Sequence, residues 1–277
     1  MEPIENLLHA VVGTAFVTGS IPVSCMVCAP SGAGKSRTLI RFDAEYIIRA
    51  DDLTSSGLID ILSGDPQNKI KYILIPDFNP ILSHKASVSN LLLANLLSVT
   101  QDGTARIVDG RQQKEVKHNP VGILTAVTFD MFARYSRKWH ELGITRRIVP
   151  LHYTYTLQTI REAQRLIRKG CITNSVPPLK LSQYQNKIVA MSNTHATELE
   201  ALSERLANNL GQYVALQRGK REPLQGAALL PMAPHVVLNA IARGNAVRFN
   251  RTKVTDADLD IATEFVSFTD MVNRRQL

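Results

Sequence analysis

The sequence predicts an α/β protein with a parallel sheet and flanking helices, followed by a smaller all-helical domain. Five short apolar runs rich in β-branched residues alternate with segments of helical period between residues 23 and 156, as in parallel sheets covered on both faces. A glycine-rich string follows the first run directly. Beyond a proline-containing stretch at 170–181 only helical patterns remain, so we place the domains at 1–170 and 171–277.

Each element has a local signal in the sequence. The predicted strands are runs of six or seven residues at 23–29, 45–50, 71–76, 121–127 and 147–152. A helix is predicted before the first strand, at 4–17, and another after the last, at 157–169. In the second domain helices are predicted at 182–210, 234–246 and 256 to about 272, the last opened by an N-cap signal at Thr255.

The composition is that of a globular protein. Hydrophobic residues make up 44% of the 277 residues and charged residues 20%. No apolar run approaches the roughly 20 residues that cross a bilayer, and the early acids Glu2 and Glu5 argue against a secretory signal. Cys25 and Cys28 lie three residues apart on one predicted strand, so their side chains point to opposite faces rather than forming a redox or zinc pair. We expect a reduced, cytoplasmic protein without membrane association.

Positive charge is concentrated in one part of the chain. The formal net charge is +8, and residues 134–169 contain nine lysines and arginines against two glutamates. Such a balance permits nucleic-acid binding without demonstrating it. Three interpretations stay open: a solvated basic helix face, a set of nucleotide contacts across a subunit interface, and a polyanion-binding surface.

The glycine-rich string reads APSGAGKS at 29–36 and lies between the first predicted strand and a helix. This setting predicts a P-loop, the phosphate-binding loop of nucleoside triphosphatases. Its glycines let backbone N–H groups turn toward the β- and γ-phosphates, Lys35 supplies a cation, and Ser36 supplies a hydroxyl ligand for Mg²⁺. We therefore predict that ATP and Mg²⁺ bind here. The predicted contact residues are Pro30, Ser31, Gly32, Ala33, Gly34, Lys35, Ser36 and Arg37.

A later apolar run, KYILIPD at 71–77, ends in an aspartate about 40 residues after the loop. An aspartate at this strand end lies beside a P-loop and holds the Mg²⁺ shell, so Asp77 is the second predicted metal ligand. Many P-loop ATPases follow this aspartate with a glutamate that activates the attacking water, whereas Phe78 follows it here. Asn79 cannot act as a base. Hydrolysis is therefore expected to be slow, or to use another acid such as Asp51 or Asp52.

The order of parts after Asp77 resembles that of AAA+ ATPases with a pre-sensor-1 β-hairpin. This group includes minichromosome-maintenance helicases, magnesium-chelatase-type ATPases and bacterial enhancer-binding ATPases. A helix at 87–97 leads into LLSVTQDG at 96–103, then a turn at Asp109-Gly110, and then the strand VGILTAVT at 121–128. Asp-Gly between alternating residues is itself a hairpin signal. The resemblance implies a polar residue that senses the γ-phosphate, either Thr125 or Thr128, of which Thr128 lies nearer the strand end.

Two further segments extend the resemblance. GITRRIVP at 143–150 is similar to the segment that carries the arginine finger, which implies Arg147, with Arg146 as the alternative, as the group that reaches a neighbour's nucleotide. A pair of solvent-facing arginines is the other interpretation. APHVVLNAI at 233–241 resembles the start of the helical lid, where His235 takes the position of the sensor-2 arginine. Histidine can donate to phosphate, although an ordinary helix-start role fits it equally well.

The resemblance also implies a ring of identical subunits, commonly a hexamer. The predicted hairpin carries cations that can follow the phosphates of a DNA or RNA strand, namely Arg106, Arg111, Lys114 and Lys117. We therefore expect a nucleic-acid-associated motor or loader, or the ATPase of a mobile element. The alternatives are a protein-remodelling ATPase of the chelatase type with a protein partner, and a nucleotide-dependent scaffold that hydrolyses ATP slowly.

Overall fold

The computed structural model describes residues 2–109, 112–155, 157–169, 181, 184–226 and 229–271. The strands in this part of the chain are β1 (Ser24–Ala29), β2 (Ile47–Arg49), β3 (Tyr72–Ile75), β4 (Thr104–Asp109), β5 (Gln112–Lys117), β6 (Gly122–Thr128), β7 (Ile148–His152), β8 (Gln212–Gln217) and β9 (Lys220–Gln225). β1, β2, β3, β6 and β7 form one parallel sheet in the order β2-β3-β6-β1-β7. The α/β class and the five predicted sheet strands are therefore confirmed.

Helices surround the sheet. They are α1 (Glu2–Gly13), α2 (Lys35–Leu39), α3 (Ser55–Ser63), α4 (Asn79–Ser83), α5 (Ala86–Asp102), α6 (Phe129–Glu141), α7 (Ile144–Arg147), α8 (Leu157–Arg168), α9 (Asn193–Leu210), α10 (Met232–Arg248) and α11 (Asp256–Thr269). A short 3₁₀ turn, Thr14–Phe16, follows α1. Among these helices, none is long and apolar enough to cross a membrane.

The two faces of the sheet bury two separate apolar cores. Every residue of β1 is buried, as expected for a central strand covered on both sides. Cys25 and Val27 belong to the core with α1, α2, α10 and α11, whereas Met26 and Cys28 belong to the core with α3, α5 and α6. The predicted opposite orientation of Cys25 and Cys28 is thus confirmed. Burial raises the pKa of the Cys25 thiol to about 12, and it also raises the pKa of Cys28, so both thiols stay protonated at neutral pH.

The C-terminal helices pack directly on the sheet domain. Arg248 bonds to Asn6 and Gly244 lies against Gly13, so α10 runs antiparallel to α1. Leu238 of α10 and Phe265 of α11 belong to the same core as the β1 side chains. The boundary predicted at residues 170 and 171 falls outside the described residues. On either side of it, the described elements share one core.

The prediction that the second domain is all-helical is wrong, because β8 and β9 form an antiparallel hairpin. Its two-residue turn, Arg218-Gly219, has positive φ at both positions (50° and 77°), which matches the right-handed twist of the strands it joins. Arginine is an unusual first residue for such a turn, so the sequence signal is weak. The hairpin packs on α6, where the Ser136 hydroxyl donates to the carbonyl of Val214.

The helix predicted at 182–210 begins later than expected. α9 starts at Asn193 because the Ser192 side chain accepts a hydrogen bond from the backbone N–H of His195 at 3.1 Å, which satisfies a helix-end donor. The preceding described residues, from 184 onward, are not helical, and they form isolated bridges from Lys187 to Val17 and from Ala190 to Lys253. This segment ties the C-terminal helices to the 3₁₀ turn beside β1.

The close approach of α1 and α10 predicts that alanine in place of Gly244 destabilises the protein, unlike alanine at a glycine with open space around it. A Cβ at Gly244 would lie 2.4 Å from the Ala10 carbonyl oxygen, so Gly244→Ala is expected to lower the free energy of unfolding by about 1–3 kcal/mol. The matched control is Gly57→Ala in α3, where the nearest atoms are 3.5 Å away. That variant is expected to gain about 0.5–1 kcal/mol from helix propensity. Urea unfolding measures both, and a stabilised Gly244→Ala variant would contradict the packing described.

Candidate functional site

The loop between β1 and α2 has the backbone of a phosphate cradle. Gly32 and Gly34 have φ values of 77° and 73°, a left-handed conformation that glycine adopts without strain. Gly34 is the N-cap of α2, and Lys35 and Ser36 are the first two residues of that helix. Backbone N–H groups in such a turn point into the loop and favour an anion. The local structure therefore fits the predicted P-loop.

The Lys35 side chain lies at the mouth of this loop. Its ammonium Nζ donates to the carbonyl oxygens of Ala29 at 3.1 Å and Pro30 at 2.8 Å. Burial lowers the pKa of Lys35 from its ordinary value, while the carboxylate of Asp77 and the Cys28 thiol act in the opposite direction. A partly desolvated ammonium interacts strongly with an incoming anion.

Ser36 joins the loop to the end of β3. Its hydroxyl donates to the Pro76 carbonyl at 2.8 Å, directly before Asp77. β6 lies between β1 and β3, so the start of α2 must pass over the carboxyl end of β6 to make this bond. The Asp77 carboxylate is exposed and accepts from the Asn79 N–H at 3.0 Å. The structure thus brings together Lys35, Ser36 and Asp77, as the sequence predicted.

β6 contains both threonines that are candidates for sensing the γ-phosphate, and they lie in different surroundings. Thr128 pairs with Ala29, the last residue before the loop, and caps α6 by accepting from the Met131 N–H at 3.3 Å. That role uses a lone pair and leaves the hydroxyl proton available to donate. Thr125 is fully buried beside Met26, in the core with α3, α5 and α6. The hydroxyl proton of Thr128 can therefore face the loop, and that of Thr125 cannot.

The residue after Asp77 faces the core rather than the site. Phe78 is fully buried and packs edge-on against Trp139 with ring centroids 6.1 Å apart. The alternative acids are also poorly placed. Asp51 pairs with Arg49, and Asp52 pairs with His84. Both aspartates follow β2, which lies three strands from β1, or about 14 Å away. Neither Asp51 nor Asp52 therefore lies where an acid beside the loop could activate water.

A contact that sequence reasoning missed comes from the segment after β7. The Tyr155 hydroxyl donates to the Ala33 carbonyl in the loop at 2.8 Å. β7 is parallel to β1 and adjacent to it, so residues beyond its carboxyl end reach the same edge as the loop. An aromatic residue with a hydroxyl just past that strand was the available signal, but the strand order needed to interpret it was unknown.

Arg146 and Arg147 lie at the opposite end of the sheet from the loop. Ile148, the next residue, pairs with Ser24 at the start of β1. The loop begins five residue steps farther along β1, so it lies about 17 Å from Ser24. Both arginines line a groove whose apolar wall includes Val23 and Val236. Burial lowers the pKa of Arg147, and the adjacent Arg146 lowers it further. Neither arginine reaches a nucleotide held by Lys35 of its own chain.

His235 shares this location. It lies in the first turn of α10, next to Val236, which lines the groove with the arginines. The predicted role of His235 as a nucleotide contact in the same chain does not fit this placement, because α10 runs antiparallel to α1 and its first turn lies at the amino end of β1. The resemblance to a lid helix implied a nucleotide contact for His235, because the sequence does not reveal the direction in which α10 packs on α1.

The β4–β5 hairpin presents fewer cations outward than the sequence suggested. Arg106 is exposed directly opposite Glu115, and Lys117 is exposed on the same face. Lys114 points to the other face, where its ammonium contacts Asp60 at 3.3 Å. The remaining predicted cation, at position 111, lies outside the described residues. The described outward face therefore has a net charge of only +1.

A buried contact between His118 and Asp65 anchors the base of this hairpin. The His118 ring donates through Nε2 to the Asp65 carboxylate at 3.1 Å and through Nδ1 to the Asn119 carbonyl at 2.7 Å. Burial raises the pKa of Asp65, but hydrogen bonds from the Ile70 N–H and from His118 outweigh it and hold the pKa below its ordinary value.

Comparison with known proteins does not extend this description. No protein-family model matches the chain, and a search of curated proteins finds no match.

The Asp65–His118 pair predicts a pH-dependent stability. The pKa of Asp65 is lower in the folded protein than in the unfolded chain, so its contribution is present above pH 4 and is lost as the pH falls through the folded pKa. Asp65→Asn is expected to lower the free energy of unfolding by about 1–3 kcal/mol at pH 7, because His118 loses a charged acceptor. The difference should shrink toward pH 3. Urea titrations at several pH values measure it, with the exposed Asp51→Asn as control. A constant difference would contradict the assignment.

Proposed function

We propose that this protein is a P-loop ATPase that binds ATP with Mg²⁺ at the loop of residues 29–36. The observation that carries the proposal is the convergence of Lys35, Ser36 and Asp77 at one edge of the parallel sheet, with the Ser36 hydroxyl 2.8 Å from the Pro76 carbonyl. Hydroxyl and carboxylate oxygens suit Mg²⁺, which usually takes one or two protein ligands and completes its shell with phosphates and water. When bound, the metal would neutralise charge on the β- and γ-phosphates.

The chain's own residues have separate tasks in this proposal. The loop N–H groups bind the phosphate oxygens, and Lys35 leaves the Ala29 and Pro30 carbonyls to meet them. Thr128 donates its hydroxyl proton toward the terminal phosphate. Asp77 and Ser36 would hold the metal. Tyr155 keeps the loop in position through the Ala33 carbonyl.

The proposed working form is a homo-oligomer of the AAA+ type, in which Arg147 of one subunit faces the nucleotide of the next. Two arginines about 17 Å from their own loop do not reach it, so any nucleotide that they contact belongs to another subunit. The groove beside them supports this, since exposed apolar side chains near a cation are typical of an interface. Val236 is 63% exposed and Ile21 49% exposed in this groove. Arg146 is the alternative finger. A hexameric ring is the arrangement the family resemblance suggests.

Hydrolysis is proposed to be slow, which favours a nucleotide-dependent scaffold as the second candidate. Phe78 is fully buried where many P-loop ATPases place the water-activating glutamate. A steady-state rate near one per second per subunit would exclude the scaffold. A rate well below that, with tight ATP binding, would favour it.

The proposed substrate is a nucleic acid, with a protein partner of a remodelling ATPase as the alternative. Exposed Arg106 and Lys117 on the β4–β5 hairpin support the first possibility, although Glu115 between them reduces the charge. Binding to single- and double-stranded DNA and RNA, with and without ATP and at two salt concentrations, separates the two. Absence of binding at low salt would leave the protein-partner alternative.

The P-loop assignment predicts the effect of one substitution. Lys35→Ala is expected to weaken binding of a fluorescent ATP analogue by about 10–100-fold, since one charge-assisted contact is lost. The exposed Lys253→Ala serves as the matched control and should bind normally. Equal affinity of the Lys35→Ala variant and the unaltered protein would rule out this site.

The shared-site arrangement predicts complementation between two inactive variants. Lys35→Ala subunits lack a nucleotide site and Arg147→Ala subunits lack the finger, so each alone should lose at least about tenfold in ATPase rate. A mixture contains sites with an intact loop beside an intact Arg147 and should recover activity. If mixing recovers nothing while both variants still assemble, Arg147 does not act between subunits. Arg146→Ala in the same assay decides between the two arginines.

A further inference from the structure

Asp130 places a carboxylate one strand away from the loop. It lies in the first turn of α6, two residues after Thr128, and Thr128 pairs with Ala29 at the end of β1. Paired strands lie about 4.8 Å apart, whereas Asp51 and Asp52 follow a strand three positions from β1. Asp130 therefore lies nearer to the loop than either acid that the sequence suggested as a base.

The side chain of Asp130 projects toward the edge of the sheet that holds the loop. The Cα–Cβ bonds of a helix tilt toward its amino terminus, and α6 begins where β6 ends. The Ser36 hydroxyl bonds to Pro76 across the end of β6, so a phosphate bound between the loop and Asp77 would lie over this same strand end. A carboxylate beside that phosphate can accept a proton from an attacking water.

A guanidinium group contacts this carboxylate in the structure. Arg221, the second residue of β9, donates to Asp130 through Nε at 3.1 Å and also through Nη2. Its Cζ atom lies 5.3 Å from the centroid of the Phe129 ring, so the guanidinium covers both residues that follow Thr128. The side chains of this ion pair are 39% and 69% exposed. Exposed pairs are weak and are screened by salt, so the charge of incoming phosphates can draw the guanidinium away.

The β8–β9 hairpin carries Arg221 to this position. β8 packs along α6, where the Val214 carbonyl accepts from the Ser136 hydroxyl. Arg221 pairs with Leu216, farther along the hairpin, and so lies level with the first turn of α6. A cavity of about 60 Å³ lies beneath the guanidinium and is lined by Phe129, Val214 and Arg221 itself. One water needs roughly 10–15 Å³, so the Arg221 side chain has room to move.

We propose that Asp130 accepts the proton of the attacking water in ATP hydrolysis, and that Arg221 is a positioning residue that occupies Asp130 until phosphates bind. The proposal rests on the ATP site proposed above and adds the base that Phe78 does not supply. The water oxygen bonds to the terminal phosphorus as one water proton passes to Asp130. The bond from that phosphorus to the bridging oxygen breaks, and its electron pair leaves with ADP. The exposed carboxylate then releases the proton to solvent.

Substitution of each partner tests the proposal by phosphate release at saturating ATP and by titration with the fluorescent ATP analogue. Asp130→Asn keeps the size of the side chain but cannot take a proton, so kcat is expected to fall at least about tenfold with unchanged affinity for the analogue. Arg221→Ala should raise kcat about two- to fivefold, because it removes one exposed ion pair, and Arg221→Lys should restore the original rate.

Two matched controls are available. Asp256→Asn changes another exposed aspartate in the first turn of a helix, one that contacts His195. Arg137→Ala removes another exposed ion pair of α6, with Glu141. Both control variants should keep the kcat of the unaltered protein.

Several results would overturn the proposal. An Asp130→Asn variant with the kcat of the unaltered protein would do so, and so would an unaltered protein that turns over no faster than Lys35→Ala. A lower kcat accompanied by weaker binding of the analogue would assign Asp130 a structural role at the start of α6 instead. A lower kcat of Arg221→Ala with unchanged affinity would contradict the role of Arg221. Failure of the unaltered protein to bind the analogue would reject the ATP site itself, which is a separate result.

Discussion

The position of β1 in the middle of the parallel sheet is the constraint on which the rest of the structure depends. β1 pairs with β6 along one edge and β7 along the other, and all of its side chains are buried. A parallel arrangement brings the carboxyl ends of all five strands to one edge. After β1 the chain crosses to β2, the outer strand on one side, and after β6 it crosses to β7, the outer strand on the other side. This divergence opens a crevice between the carboxyl ends of β1 and β6, where ligands of α/β proteins commonly bind. The loop at 29–36 occupies this point.

The same constraint divides the charged and hydroxyl groups of the candidate site between two ends of the molecule. Lys35, Asp77 and Thr128 follow strand ends and meet at the carboxyl edge, whereas Arg147 precedes a strand and lies at the amino edge. The length of β1 keeps these groups about 17 Å apart. A site that uses both ends therefore has to be assembled from two subunits. Phe78, which follows Asp77, is fully buried and brings no acid to the carboxyl edge.

Much of the fold and part of the site could be predicted because their signals are local. The β-branched runs, the two glycines with positive φ and the aspartate that ends the run at 71–77 each depend on a few neighbouring residues. What could not be predicted depends on long-range packing. The direction of α10 along α1 decides where His235 lies, and it is set by the contact of Gly13 with Gly244. The β8–β9 hairpin was missed because Arg218-Gly219 carries a weak turn signal, and Tyr155 was missed because its role requires the strand order.

A structure determined with Mg²⁺ and a non-hydrolysable ATP analogue decides whether the loop edge holds a triphosphate with its metal. We expect Lys35 Nζ to move from the Ala29 and Pro30 carbonyls to a phosphate oxygen. We also expect the metal to lie between the Ser36 hydroxyl and the Asp77 carboxylate. A structure at saturating analogue in which Lys35 still bonds to those carbonyls and the nucleotide lies elsewhere would contradict this expectation.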